Sequence, residues 1–502
     1  MVEGLRTWAR EHPLAALTLL ALLPRVVASF FSGGYFAHDD HFLVIEAAAS
    51  WVAGFDYNHW LPWNQGEDPR PSGHSFFYVG LHYLLFSGLK IIGLTDPKAQ
   101  MVVVRLLHAI WSLLVVRLGY RIALRLGNER VAWQVGLFLA LFYFMPFLAV
   151  RNLVETACIP FLMLAMWRVM RRTEGPRPMD VLVAGIWIGL AMNVRFQTIF
   201  FAAGFGLAFL LQGQWRATLL ATVGVLLPLF VIQGALDLFL WGRPFAELGE
   251  YVGYNLLHST TYFDQPWYNY LLLLAGIFIP PLSLAVLFGF FRSPRPLVLW
   301  LPVLVFLAFH SYFPNKQERF LLPIVPLFFV LGYVAWERWR EVSHWWRQRP
   351  GLWRGVWRFT WGLNTLLLVG LCFSYSKRSR VEALYLLRDA GPVRGLVIED
   401  SREGDAPMPP LFYLGQWDVS VVEYKDPGLE LLPMLAFEGE RRPNVVLFIG
   451  AEDLAERWAH VEAQAGPLEE IGRALPGLLD RTVHWLNPVN RNETIVVARF
   501  AH

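Results

Sequence analysis

Only two cysteines stand in the 502 residues, Cys158 and Cys372, and both lie inside apolar runs. That excludes a disulfide-stapled scaffold and leaves no cysteine set for a metal site. Charge is scarce as well. Asp, Glu, Lys and Arg make up 17% of the chain, against about 25% in an ordinary soluble domain. The signs nearly balance, with 43 basic and 40 acidic residues and a net charge of +3. No basic field for nucleic acid results. Nucleotide fingerprints of the GxGxxG or GxxxxGK type are missing. There is no internal repeat and no long low-complexity tract. What is plentiful is apolar surface: 55% hydrophobic residues, with 22 Trp, 17 Tyr and 38 Phe, and a mean hydropathy of +0.40. A disordered chain, a collagen and a simple cytosolic enzyme are excluded. A polytopic membrane protein needs this composition, because its lipid-facing surface must be apolar too.

The first long run, 14–31, follows Arg6 and Arg10 and lacks a clean small-residue cleavage site. It reads as a signal anchor and first span. Further runs at about 101–125, 131–149, 153–171, 181–195, 197–211, 217–236, 269–291, 297–313, 320–336 and 358–375 predict about eleven spans in all, each near the ~20 residues that cross a bilayer. The junction Asn193-Val-Arg195 reads as a tight turn or a broken helix. Charge bias places the run 76–93. If it does not span, the basic loops at Arg121–Arg130, Arg168–Arg177, Arg292/Arg295 and Arg338–Arg358 all fall on the cytoplasmic side. It is therefore expected as an amphipathic helix on the outer interface, with His82 and Lys90 on its polar side. From about 376 the pattern changes. Residues 395–400, 419–424, 444–450 and 493–500 read as strands and 453–464 as a helix. The expected architecture is an all-α polytopic domain over 1–375 and a small extracytoplasmic α/β domain over 376–502.

Chemistry concentrates in the outer loops. His38-Asp39-Asp40-His41-Phe42 puts two carboxylates between two histidines just beyond the first span. A carboxylate there can take a proton from an acceptor hydroxyl. The same residues can instead cap the helix that follows, and four neighbours are too close together to ligate one ion easily. Arg151 and Glu155 lie between two long spans, either neutralising each other or marking a site at the mouth of a helical bundle. The loop from Asp237 through Trp241-Gly242, Phe245, Tyr254-Asn255, Tyr262 and Trp267-Tyr268-Asn269-Tyr270 interleaves aromatic and polar groups. That suits a sugar ring, a headgroup or an aromatic belt. Asn315-Lys316-Gln317-Glu318-Arg319-Phe320 brings cations to the outer face. They either snorkel or bind a phosphate, Arg by paired hydrogen bonds and Lys as a point charge.

In order and spacing these segments resemble the membrane mannosyltransferases that build GPI anchors and lipid-linked oligosaccharides (Alg9-like, GT-C superfamily). His38-Asp39-Asp40-His41-Phe42 stands where that family has His-Pro-Asp-Glu-x-Phe. Arg151-Asn152 with Glu155-Thr156 stands for its Arg-Thr and Asn-Ser-x-Glu turn, and Asn315 to Pro323 for His-Lys-Glu-x-Arg-Phe-Leu-x-Pro. The resemblance covers about 10–375, with Asp39 for Pro, Asn315 for His and Gln317 for Glu. It implies an inverting glycosyltransferase, a mannosyltransferase of bacterial inner-membrane type. The donor is a polyprenyl-phosphate sugar and the acceptor a glycan or lipid-linked hydroxyl, with membrane lipid around both. Asp40 or Asp39 is the base. His38, His41, Arg151, Glu155, Tyr262, Trp267, Lys316, Glu318 and Arg319 line the substrate site. Neither a metal nor a cofactor is expected. Aminoarabinose- and protein-mannosyl-type transferases share this fold and outer Asp. A lipid-linked-sugar transporter is the rival from another class, but it would show midplane charges and inverted repeats.

Overall fold

The computed structural model describes residues 2–261, 264–404, 406–437, 441–486 and 491–501. The chain is mostly helical with one small sheet near its C-terminus. Among the described residues, Pro13–Phe31, Pro97–Leu126, Trp215–Trp241 and Glu318–Val342 are long and apolar enough to cross a membrane. A fifth candidate is the pair Leu282–Arg292 and Leu297–Tyr312, bent by 115° at their junction. These candidates do not confirm the expected count of about eleven. Several of the other apolar runs form shorter helices. The 131–149 run divides into Glu129–Leu141 and Phe144–Ala149, and the 153–171 run into Val154–Ala157 and Ile159–Met170, with Pro160 at the second start. Pro178–Val194 stops at Arg195, whose backbone is extended (φ −146°, ψ 110°), so the junction there is a broken helix. Pro350–Cys372 is a helix of 23 residues but carries Arg354 and Arg358.

Two compact units share the chain: residues 1–29, 60–78 and 104–372 form one, and 30–59, 79–103 and 373–502 the other. In the first unit helices pack through small residues. A Cβ on Gly185 would lie 2.9 Å from Gly224 Cα, so only glycine permits that crossing. Arg25 is buried inside the Pro13–Phe31 helix. Its guanidinium donates to Ser112 Oγ (2.9 Å), Ala21 O (2.9 Å), Ala140 O (2.8 Å) and Leu139 O (3.1 Å). The last two carbonyls belong to the final turn of Glu129–Leu141, where the helix leaves acceptors unused.

The second unit is built on a five-stranded sheet: β1 Gly395–Glu399, β2 Ser420–Tyr424, β3 Val445–Ile449, β4 Leu468–Ala474 and β5 Ile495–Phe500. The order is β2-β1-β3-β5-β4. β1 is parallel to β2 and β3, while β5 is antiparallel to β3 and β4. β1 and β3 are buried throughout, which explains their continuous apolar sequence. β4, Leu-Glu-Glu-Ile-Gly-Arg-Ala, was not expected. It is a charged edge strand, and edges carry charge against unwanted pairing. Helices Arg378–Ala390 and Leu478–Leu486 also went unread. The 76–93 run forms Phe76–Ile91, 16 residues long, shorter than a usual span. Its Lys90 ammonium donates to Val52 O at 2.9 Å. His82, expected on a polar side, is instead buried.

Candidate active site

The helix bearing the acidic pair starts at His38, so Asp39 and Asp40 occupy its first turn and neither is its cap. Carboxylates there face the positive end of the helix dipole. His38 is exposed, Asp39 half-buried and Asp40 buried. From His41 to Glu46 the helix widens to a π turn, a feature common at functional sites. The i to i+5 spacing brings His41 Nε2 within 3.0 Å of Glu46 Oε1. Glu46 also accepts the Phe412 amide at 3.0 Å. The His41 ring is stacked between Tyr35 (centroids 4.3 Å) and Tyr413 (5.2 Å). Burial pushes His41 down to about 3 and raises Glu46 well above the carboxylate range. Burial thus favours the neutral form of both partners of this hydrogen bond. His41, expected in the substrate site, is thus buried and braces the turn that carries Asp40.

In the first unit a second constellation assembles around Glu155, on the one-turn helix Val154–Ala157. Its carboxylate is fully buried and meets two guanidiniums: Arg195 Nη1 at 3.0 Å and Arg319 Nε at 3.6 Å. A glutamine holds each arginine. Gln197 Oε1 accepts from Arg195 Nη2 at 2.5 Å, and Gln317 Oε1 from Arg319 Nε at 2.8 Å. Arg195 also lies over the Phe320 ring at 4.9 Å. Two guanidiniums thus meet one carboxylate, and residue 317, a glutamine, adds no second one. Arg195 is the residue that sequence reasoning missed. Its signal was the helix break Asn193-Val-Arg195, noted only as a junction. Thr156, next in chain to Glu155, lines a mostly apolar pocket together with Trp111, Phe144, Leu148 and Pro326.

Lys316 is not brought to that cluster. Its ammonium is buried and donates to three carbonyls, Phe313 O (2.6 Å), Gln265 O (2.8 Å) and Pro314 O (3.4 Å). An ammonium has three donors, so Lys316 ties the 313–316 loop to residue 265, and burial lowers its pKa. Arg151 is buried with its guanidinium over the Phe147 ring at 4.6 Å. Glu318 and Trp267 are exposed. Tyr262 lies outside the described residues. The Asp237 loop carries a second clamp. Glu247 Oε2 accepts from Gly73 N (2.6 Å), His74 N (3.1 Å) and Ser72 Oγ (3.2 Å). Burial raises its pKa to about 7. Among the described residues no group of three or more His, Cys, Asp or Glu side chains is placed to hold a metal.

The fold matches that of solved membrane glycosyltransferases of the GT-C type. ArnT from Cupriavidus metallidurans in the apo state gives a TM-score of 0.63 at 13% identity, covering 98% of each chain. The same protein bound to undecaprenyl phosphate gives 0.61 at 13% identity, over 97% of this chain and 98% of that one. The profile of the Alg9-like mannosyltransferase family matches residues 16–386, and the chain belongs to that family. Similar curated proteins include the mannosyltransferase APTG1 of Arabidopsis thaliana, 24% identical over 65% of this chain and 59% of that one. GPI alpha-1,2-mannosyltransferase 3 of Mus musculus is 25% identical over 65% and 60%. The matched part of the chain thus spans about three fifths of these relatives' length. The chain is a multi-pass membrane protein, as its apolar helices and membrane neighbours require.

Proposed function

We propose that this protein transfers mannose from a polyprenyl-phosphate donor to an acceptor hydroxyl, with inversion, on the extracytoplasmic face of a bacterial inner membrane. The observation that carries the reading is the Arg195–Glu155–Arg319 cluster around a buried carboxylate. Its two guanidiniums, with their forked donors, suit a lipid-linked phosphate. The mostly apolar pocket that Thr156 lines gives the hydrocarbon chain an apolar surface to lie against. The ArnT neighbour holds undecaprenyl phosphate, a ligand of the same class. Asp40 is the base: it is the buried member of the pair and stands at the family's Asp position. Its carboxylate takes the acceptor hydroxyl proton as the oxygen bonds to the anomeric carbon. The bond from that carbon to the phosphate oxygen breaks, and its electron pair leaves with the polyprenyl phosphate. Arg195 and Arg319 stabilise the departing charge. A phosphate stabilised in this way leaves without a metal, so chelators leave the rate unchanged. Lys316 acts through the loop it ties.

The test is a membrane assay with purified protein and labelled polyprenyl-phosphate-mannose, with the glucose analogue beside it. Transfer of mannose, reduced at least ~100-fold by Asp40→Asn, is expected. Full activity of Asp40→Asn removes that residue from the mechanism, and transfer of the other sugar alone overturns the mannosyl assignment.

A further inference from the structure

The C-terminal helix Leu478–Leu486 has no use in the reaction, yet it presents an apolar face to the outside. Leu478 is 84% exposed, Trp485 79% and Leu486 69%, with Leu475 beside the helix start at 51%. Leu478, Thr482 and Trp485 fall on one side at i, i+4 and i+7, with Leu486 at its edge and exposed Arg481 flanking. We propose that this face lies in the interfacial layer of the bilayer and docks the sheet-bearing unit onto the lipid surface.

Hydrogen bonds tie the helix to the places where the chain leaves the apolar helices. Asp480, in its first turn, is buried. Its carboxylate accepts from Lys377 N (2.6 Å), Arg378 N (2.9 Å) and Gly477 N (3.1 Å). Lys377 stands five residues after Pro350–Cys372 ends. The adjoining strip 374–376 is bonded to the residues that follow the candidate span Pro13–Phe31: Ser32 Oγ donates to Ser374 O (2.9 Å) and Ser376 N to Gly33 O (3.2 Å). Gly34 pairs with Ser376 in a left-handed conformation, φ 71°, and a Cβ there would overlap the Ser376 carbonyl. Glycine alone allows that approach. The exit residues are themselves exposed aromatics in contact, Phe31 and Phe373, with centroids 5.3 Å apart. A helix fastened within a few residues of a span's end shares that end's depth. Trp and Leu on its outer side with Arg beside them match an interfacial helix, the arginines 378 and 481 meeting lipid phosphates. A soluble domain has no reason to leave three large apolar side chains so bare.

This inference rests on the membrane reading alone and not on the transferase reaction. The test uses the full chain in nanodiscs holding one copy each. An environment-sensitive fluorophore is placed at Leu478→Cys or Leu486→Cys, with Glu456→Cys on the exposed side of Leu454–Ala465 as the aqueous reference. The native Cys158 and Cys372 are buried, and the labelled parent protein supplies the blank. Lipids carrying a doxyl group near the headgroup should quench the labels at 478 and 486 at least twofold more than the label at 456. Aqueous iodide should do the reverse. Thr482→Cys, on the same face, should repeat the pattern if either leucine variant fails to incorporate. Iodide access at 478 and 486 equal to that at 456 overturns the proposal. Protection from both quenchers also overturns it, by assigning the face to a protein contact.

Discussion

Replacing Glu155 by Gln keeps the side chain's shape and removes its charge. In the native protein that carboxylate is fully buried, with Arg195 at 3.0 Å and Arg319 at 3.6 Å. Without it two largely enclosed guanidiniums lose this counter-charge. Removing one partner of a buried pair costs about 3–5 kcal/mol. A chain of this size does not unfold in one step, so the readout is the apparent melting temperature. At about 2 °C per kcal/mol the expected fall is on the order of 6–10 °C. The informative measurement follows. A lipid monophosphate that binds the two arginines supplies the missing negative charge, so it should stabilise the variant more than the native protein. At 100 times the native Kd, binding adds about 2.7 kcal/mol to the native protein. A tenfold tighter Kd in Glu155→Gln adds about 1.4 kcal/mol more. The assay is a melting series with undecaprenyl monophosphate in detergent, on native and variant protein. Native-like melting of the variant would show that the ion pairs contribute nothing. A lowered melting point with equal stabilisation of both proteins by the lipid would refute phosphate binding at this cluster.

Three further outcomes are expected. Arg195→Ala and Arg319→Ala should each raise the donor KM at least tenfold, with Lys at either position restoring only part, since the paired hydrogen bonds are lost; unchanged donor kinetics in a stable protein would reduce the residue to packing. Lys316→Met should lower thermal stability and loosen the 313–316 loop while leaving donor KM within about threefold, because its three donors are spent on carbonyls; a large KM effect would return it to the phosphate. Glu247, raised to about 7 by burial, binds a proton more readily folded than unfolded. Its contribution is therefore full below the ordinary carboxylate range and is lost as pH rises through about 7. Limited proteolysis at residues 66–75 should accelerate over that rise in the native protein and stay flat in Glu247→Gln.

Membrane residence, the all-α body, the change to α/β structure near 376 and the approximate place of the acidic pair were legible from the chain alone. Those features follow from composition, hydrophobic run length and period-2 alternation, all of which are local. Four of the strands were readable because buried strands are apolar, whereas β4 at the sheet's edge is charged and looks like a loop. The number of spans was not settled by the apolar runs, because such a run records burial and says little about where the helix breaks. The roles of the site residues needed tertiary structure. The sequence puts His41 in the substrate site; only the fold shows its ring stacked between Tyr35 and Tyr413. Lys316 resembles a phosphate ligand, yet carbonyls 51 and 3 residues away absorb its donors. Arg195 shows in the sequence only as an interruption. It becomes the partner of a carboxylate 40 positions earlier once Val154–Ala157 and the 195–198 turn come together, because a contact between distant residues leaves no trace in local spacing.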